Sequence, residues 1–167
     1  MPRPARLAAA LAAAVLIPVL TGCGVLSSLT GDAPRDDSGQ VTSTADADAF
    51  KLRVGDCISD MESLSGEFES APVAPCDTPH QGEIYAEQKL TDPDLSRPAG
   101  VPERADDFCG DSLNDFLGGE PTAEHETLEL ASLFPTDESW VLGDRTIQCV
   151  VYDPAGGLTG SLRDSAA

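Results

Sequence analysis

Four of the five cysteines, Cys57, Cys76, Cys109 and Cys149, fall in the only part of the chain patterned like a folded core, and they set the terms on which it folds. Aromatic residues make up 5 % of the sequence, with a single Trp, so one modest core is available. A core of that size usually needs staples. An even set of thiols suits two disulfides, provided the chain matures in an oxidising space. Their number alone leaves three pairings open. Cys57 with Cys76 and Cys109 with Cys149 is the expected arrangement: the first pair flanks one compact hairpin-like stretch, and the second would staple a helix to the last strand. On the chain-entropy model the two loops contribute about 3 and 4 kcal/mol, comparable with the whole stability of a small domain. Zinc is the rival use of these thiols, but the sequence has no Cys-x-x-Cys, irregular spacings and two histidines in all.

The N-terminus points to the oxidising space. Met1 to Arg6 is a short basic segment, Leu7 to Leu20 carries only apolar side chains, and Leu20-Thr21-Gly22-Cys23 follows at once. The apolar run is too short to span a bilayer stably and has the form of a signal peptide over 1–22. Two small residues before Cys23 resemble the bacterial lipobox, in which the thiol receives a diacylglyceryl group, cleavage exposes the Cys, and a further acyl chain such as palmitate can follow. Two chains give stable anchoring where one would be marginal. The expected location is therefore the extracytoplasmic face of the plasma membrane, with the lipid bilayer as first partner through acylated Cys23. From 24 to 49 the chain is Ser, Thr, Gly, Asp and Ala with few large apolar residues, so 23–49 reads as an acylated Cys followed by a flexible acidic linker. Such a tether would span about 25 to 30 Å on average.

Charge removes one class of partner. Of ten Lys and Arg against 29 Asp and Glu, Arg3 and Arg6 lie in the leader, leaving a formal net charge of −21 on the rest. Nucleic acid is bound by clustered cations that release counterions, and here repulsion would dominate. No Asp-x-Asp-x-Asp-Gly loop gathers the acids into a calcium site, so they read as scattered solubilising charge.

The foldable segment runs from 50 to 163, with 164–167 as a tail. Phe50 to Val54 alternates apolar and charged residues before Gly55-Asp56 and predicts a strand entering Cys57. Phe68 to Ala74 predicts a second, ended by Pro75, and Glu83 to Leu90 a third, with Ile84, Ala86 and Leu90 on one face. Gly100-Val101-Pro102 opens a helix. Ala105, Phe108, Cys109, Ser112, Leu113 and Phe116 form its stripe, and Gly118-Gly119 ends it. Thr127 to Phe134 and Arg145 to Tyr152 supply two more strands. The expected fold is α+β: a small, mainly antiparallel sheet of about five strands with one principal helix and two disulfides.

Val54-Gly55-Asp56-Cys57, then Cys76-Asp77-Thr78-Pro79-His80 with Glu83, then a helix holding Cys109, then Trp140 with Gly143-Asp144-Arg145 and Cys149, and finally Thr159-Gly160-Ser161-Leu162 follow one another in an order and spacing that resemble the septum-formation domain of extracytoplasmic proteins in high-G+C Gram-positive bacteria. The resemblance runs from Val54 to Leu162, with Ile58 where members often carry Phe or Leu. It implies a lipoprotein or a single-span membrane protein associated with division septa. It brings no catalytic set.

The residues themselves offer few sites. Asp56 and Asp144 each follow a Gly beside a strand, where Asp commonly accepts backbone N–H groups and closes a turn. Trp140 is expected in the core rather than as a ligand platform. Arg145 is expected to pair with Asp144, Asp56 or Glu83 rather than to bind an anion. His80 is the sharpest candidate for chemistry, with Asp77 three residues before it and Glu83 three after. The structural alternative has His80 donating to Asp77 or Glu83 and fixing the loop. His125, between Glu124 and Glu126, reads as a solvated loop residue. No Gly-x-Ser-x-Gly or Ser-x-x-Lys appears, and oxidised cysteines are not nucleophiles, so no catalytic residue is assigned. Nor is any metal ligand or cofactor. The reading that follows is a non-enzymatic lipoprotein whose domain binds an exported protein or a wall component, in septum formation. The alternative is an exported domain binding a metal or small ligand, less readily a catalytic one, centred on His80 and Glu83, with Asp77, Arg145 and Trp140 as further candidate binding residues.

Overall fold

A computed structural model describes residues 31–91 and 99–167. The expected signal peptide and lipidation site, Cys23, lie outside those residues. The described chain forms one six-stranded sheet: β1 (Ala45–Asp48), β2 (Cys57–Ile58), β3 (Ser70–Ala74), β4 (Gly82–Lys89), β5 (Glu129–Leu133) and β6 (Thr146–Tyr152). Their spatial order is β1-β3-β2-β4-β6-β5, and every neighbouring pair is antiparallel. Helix α1 (Val101–Leu117) connects β4 to β5, and a short helix α2 (Asp137–Val141) connects β5 to β6. The α+β class and the principal helix are as expected, and both disulfides take the expected pairing, Cys57–Cys76 and Cys109–Cys149.

Side chains alternate across a strand, so β6 serves two cores. Cys149 and Val151 join Tyr85, Ala105, Phe116 and Leu117 under α1. Val150, between them, joins Ile58, Val73, Ile84 and a set of alanines on the other face. Helix α1 forms where the sequence places it. Gly100 takes φ 85° ahead of it, Pro102 sits in its first turn, and Gly118 at φ 78° stops it, donating its N–H to the Asn114 carbonyl. Ala105, Cys109 and Phe116 of the expected stripe are buried, Phe108 and Leu113 pack partly against them, and Val101 and Leu117 are added. The Ser112 hydroxyl instead bonds the Phe108 carbonyl at 2.7 Å.

Four expectations are corrected. The stretch expected to be a flexible linker is, from residue 31, part of the fold: Ala33, Val41 and Ala47 are buried, and β1 pairs with β3 from Ala45↔Val73 to Asp48↔Ser70. Low hydrophobicity did not prevent this, because alanines fill the space and the acids bind backbone, as Asp36 does with the N–H groups of Ser38 and Gln40. Phe50 to Val54 is not a strand. Asp48 caps a 3-10 turn at Ala49–Lys51 by accepting from the Phe50 N–H at 2.8 Å, and Asp56 accepts from the Arg53 N–H at 2.9 Å. The residues at 164–167 are not a loose tail: Asp164 and Ala166 donate their N–H groups to the carbonyls of Phe116 and Leu117, satisfying the end of α1. Finally, Ile84 and Ala86 do not share a face. The ladder to β6 passes from Ile84↔Val150 to Ala86↔Cys149, so Tyr85 is an extra residue and the strand changes core across this bulge.

Candidate functional site

The residues marked by sequence separate to the two ends of β4. At its start lie Asp56, the Cys57–Cys76 bridge, His80 and Glu83, because β2 pairs Cys57 with Glu83 and Ile58 with Gly82. Here the C-terminal segment folds back over the loop: the backbones of His80 and Leu158 exchange two 3.0 Å hydrogen bonds, and Gly160 donates to the Cys76 carbonyl at 2.6 Å. Glu83 is 1 % exposed and both its oxygens are taken, Oε1 by the Ser161 hydroxyl at 2.7 Å and Oε2 by the Leu162 N–H at 2.8 Å. A buried carboxylate has to be satisfied in this way, and the Thr159-Gly160-Ser161-Leu162 motif supplies the donors.

His80 is 2 % exposed. Its Nδ1 lies 2.9 Å from the Thr78 carbonyl, which can only accept, so Nδ1 carries a proton and donates it there. The other ring nitrogen, Nε2, is buried with no hydrogen-bond partner among the described residues. His80 thus fixes the loop through Thr78, in place of the expected Asp77 or Glu83, and Asp77 stays exposed on the loop. The partner of Asp56 is Arg35, not Arg145. Both guanidinium Nη atoms reach the Asp56 carboxylate, Nη2 at 2.8 Å, and the pair is buried, with side chains 8 % and 1 % exposed. The Asp56 contact raises Arg35 further above its ordinary value. Sequence reasoning missed Arg35 because it stood in a stretch without core patterning.

At the far end of β4, Leu90 donates to the Arg145 carbonyl and Lys89 pairs with Thr146. The six-residue step from Glu83 to Lys89, at about 3.4 Å each, puts this end roughly 20 Å from Glu83. The Arg145 guanidinium lies 3.5 Å above the Trp140 ring and donates to the Trp140 carbonyl at 2.8 Å. Asp144 closes its turn by accepting from the Thr146 N–H and the Ser139 hydroxyl. Trp140 belongs to the core under α1. Arg145 and Trp140 therefore form a structural pair of their own and do not join His80 and Glu83.

His125 is buried, in contrast with the solvated loop residue expected. Its Nδ1 accepts from the Thr122 N–H at 3.0 Å, so its proton sits on Nε2, which donates to the Ser165 hydroxyl at 2.9 Å. Thr122 and His125 cap a 3-10 turn reciprocally. The Thr-x-x-His spacing was the available signal.

Chemically, the buried polar groups hold the fold together. Among the described residues no three His, Cys, Asp or Glu side chains gather to hold a metal ion, and no helix is long and apolar enough to cross a membrane. A cleft of about 200 Å³ at the far end is lined by Gln88, Lys89, Leu90, Thr91 and Arg104. A family model described as septum formation matches residues 20–149. No curated protein and no solved structure matches the chain.

Proposed function

Because the chain belongs to the septum-formation family, we propose that it is a non-enzymatic envelope lipoprotein whose domain binds an exported protein or wall component during septum formation. The observation that carries the non-enzymatic reading is that Glu83 and Asp56 are fully engaged by the C-terminal segment, Arg35 and backbone, while His80 is tied to Thr78 through Nδ1 and its Nε2 is shut away from solvent. A general base must reach the proton it removes; the two carboxylates are occupied within the fold, and the unpartnered His80 nitrogen is buried. Export and anchoring at Cys23 are supported by the apolar leader and the Thr21-Gly22-Cys23 sequence, and by two disulfides that need an oxidising compartment.

The leash is short in this reading. Eight residues, Cys23 to Thr30, precede the first described residue. Fully extended they reach about 27 Å, so the domain works beside the bilayer and not far into the wall. The test is labelled palmitate in growing cells. Wild type is expected to carry label and stay in the membrane fraction, and Cys23→Ser to lose both while keeping its disulfides. Label on the Cys23→Ser protein, or a wild-type protein spread evenly around dividing cells, would overturn the reading.

A further inference from the structure

We infer that the outer edge of β5 is the docking site of this domain, and that it takes an extended segment of another exported protein in which apolar residues alternate with Lys or Arg. Strand β5 is the last of the sheet and pairs only with β6, so on its other side alternate backbone N–H and C=O groups have no strand partner. Sheet edges are normally guarded by Lys, Pro or inward charge. Glu-Leu-Ala-Ser-Leu contains no Lys, Pro or inward charge: its one charged residue, Glu129, is held by the Tyr152 hydroxyl, and Ser132 donates to Asp106. Of six large apolar side chains left exposed among the described residues, four lie between 130 and 142. They are Leu130, Phe134, and the neighbours Val141 and Leu142, which are 85 % and 77 % exposed.

Charge names the occupant. From Ala105 to Asp144 the sequence has eleven acids and no Lys or Arg, and β5 with α2 stands inside that run. At α2, the neighbouring Glu138 carboxylate raises Glu67 above its ordinary value, a crowding that an incoming cation would relieve. A second copy of this chain would bring the same acids to the same edge and be repelled. A cationic strand is attracted, pairs its backbone with β5, and lays alternate apolar side chains beside Leu130 and Phe134. This inference deepens the binding-module reading proposed above and rests on it.

The test uses the oxidised mature protein and an eight-residue peptide of alternating Lys and Val. The peptide is expected to slow hydrogen exchange along 129–133 and to bind at least tenfold more weakly to a Leu130→Lys variant. A peptide with alternate backbone nitrogens methylated keeps its charge but cannot pair, and it is expected to bind at least tenfold more weakly to the unaltered protein, so the result does not depend on the variant folding. Equal binding of the methylated peptide, protection elsewhere, or dimers forming through 129–133 would each overturn the inference. Palmitate labelling and septal enrichment would survive such a failure, which separates it from failure of the parent reading.

Discussion

The two faces of the sheet are built on different terms. Under α1 the core is made of large side chains: Tyr85 and Phe116 rings 5.4 Å apart, Leu117, Trp140 and Ile147, with Cys109–Cys149 joining helix to strand across 40 residues. The opposite face sets Ile58 and Ile84 among Ala33, Ala47, Ala71 and a few valines and leucines, has no fully buried aromatic ring, and beside it the buried Arg35–Asp56 pair fixes the N-terminal turns. Burial free energy scales with apolar area, so the first face owes its stability to packing, and the second leans more on polar links of fixed geometry.

Removing the long bridge should test this difference most severely. A Cys109→Ala, Cys149→Ala protein is expected to lose about 4 kcal/mol in urea unfolding, against about 3 for the Cys57, Cys76 pair, since the closed loops differ in length. Equal losses would erase the distinction between the faces. Asp56→Ala takes away the two-point partner of Arg35 and leaves it only the more exposed Asp32, 3.2 Å from Nε, so it is expected to cost about 3 kcal/mol, while Arg35→Met with Asp56→Leu recovers most of it. If the double substitution is no better than the single one, the pair is not an electrostatic unit. Glu83→Gln weakens two charge-assisted bonds and is expected to cost about 2 kcal/mol, with faster amide exchange at Leu162 as its signature.

The smallest effect is a pH response confined to the helix-covered face. Burial pushes the Tyr85 phenol above its ordinary value of 10, and its hydroxyl donates to the Cys109 carbonyl at 2.6 Å. The folded-state value is the higher one, so the stability it lends is complete below pH 10 and is lost as pH rises past that point. Wild type should therefore show a falling Tm above pH 10. Tyr85→Phe, starting about 1 kcal/mol less stable, should show a flatter alkaline decline.

The same division explains what could be read from sequence. Helix α1, β4 and β6 announce themselves through periodic large apolar residues and glycine or proline boundaries, and Cys109 and Cys149 fall on them. Strand β1, the seat of Arg35 and the docked C-terminus do not, because Ala45–Asp48 has the composition of a linker and its place is fixed by pairing with β3. Asp56 was legible as a residue with a structural task and Glu83 only as a candidate beside His80; their partners, Arg35 and Ser161, were not, since both contacts depend on distant parts of the chain meeting. His125 was misread because a polar neighbourhood in sequence says nothing about Ser165 folding over it.

The extra residue at Tyr85 gives the chain a phase. Ahead of it Ile84 serves one face, and after it Ala86 stands opposite Cys149. Deleting any single residue between Ile84 and Glu87 would advance all that follows by one step, set Glu87 opposite Cys149 on the dry side and turn the side chain at 88 away from Ile147. Relatives should therefore tolerate substitutions along this strand far more readily than changes in its length.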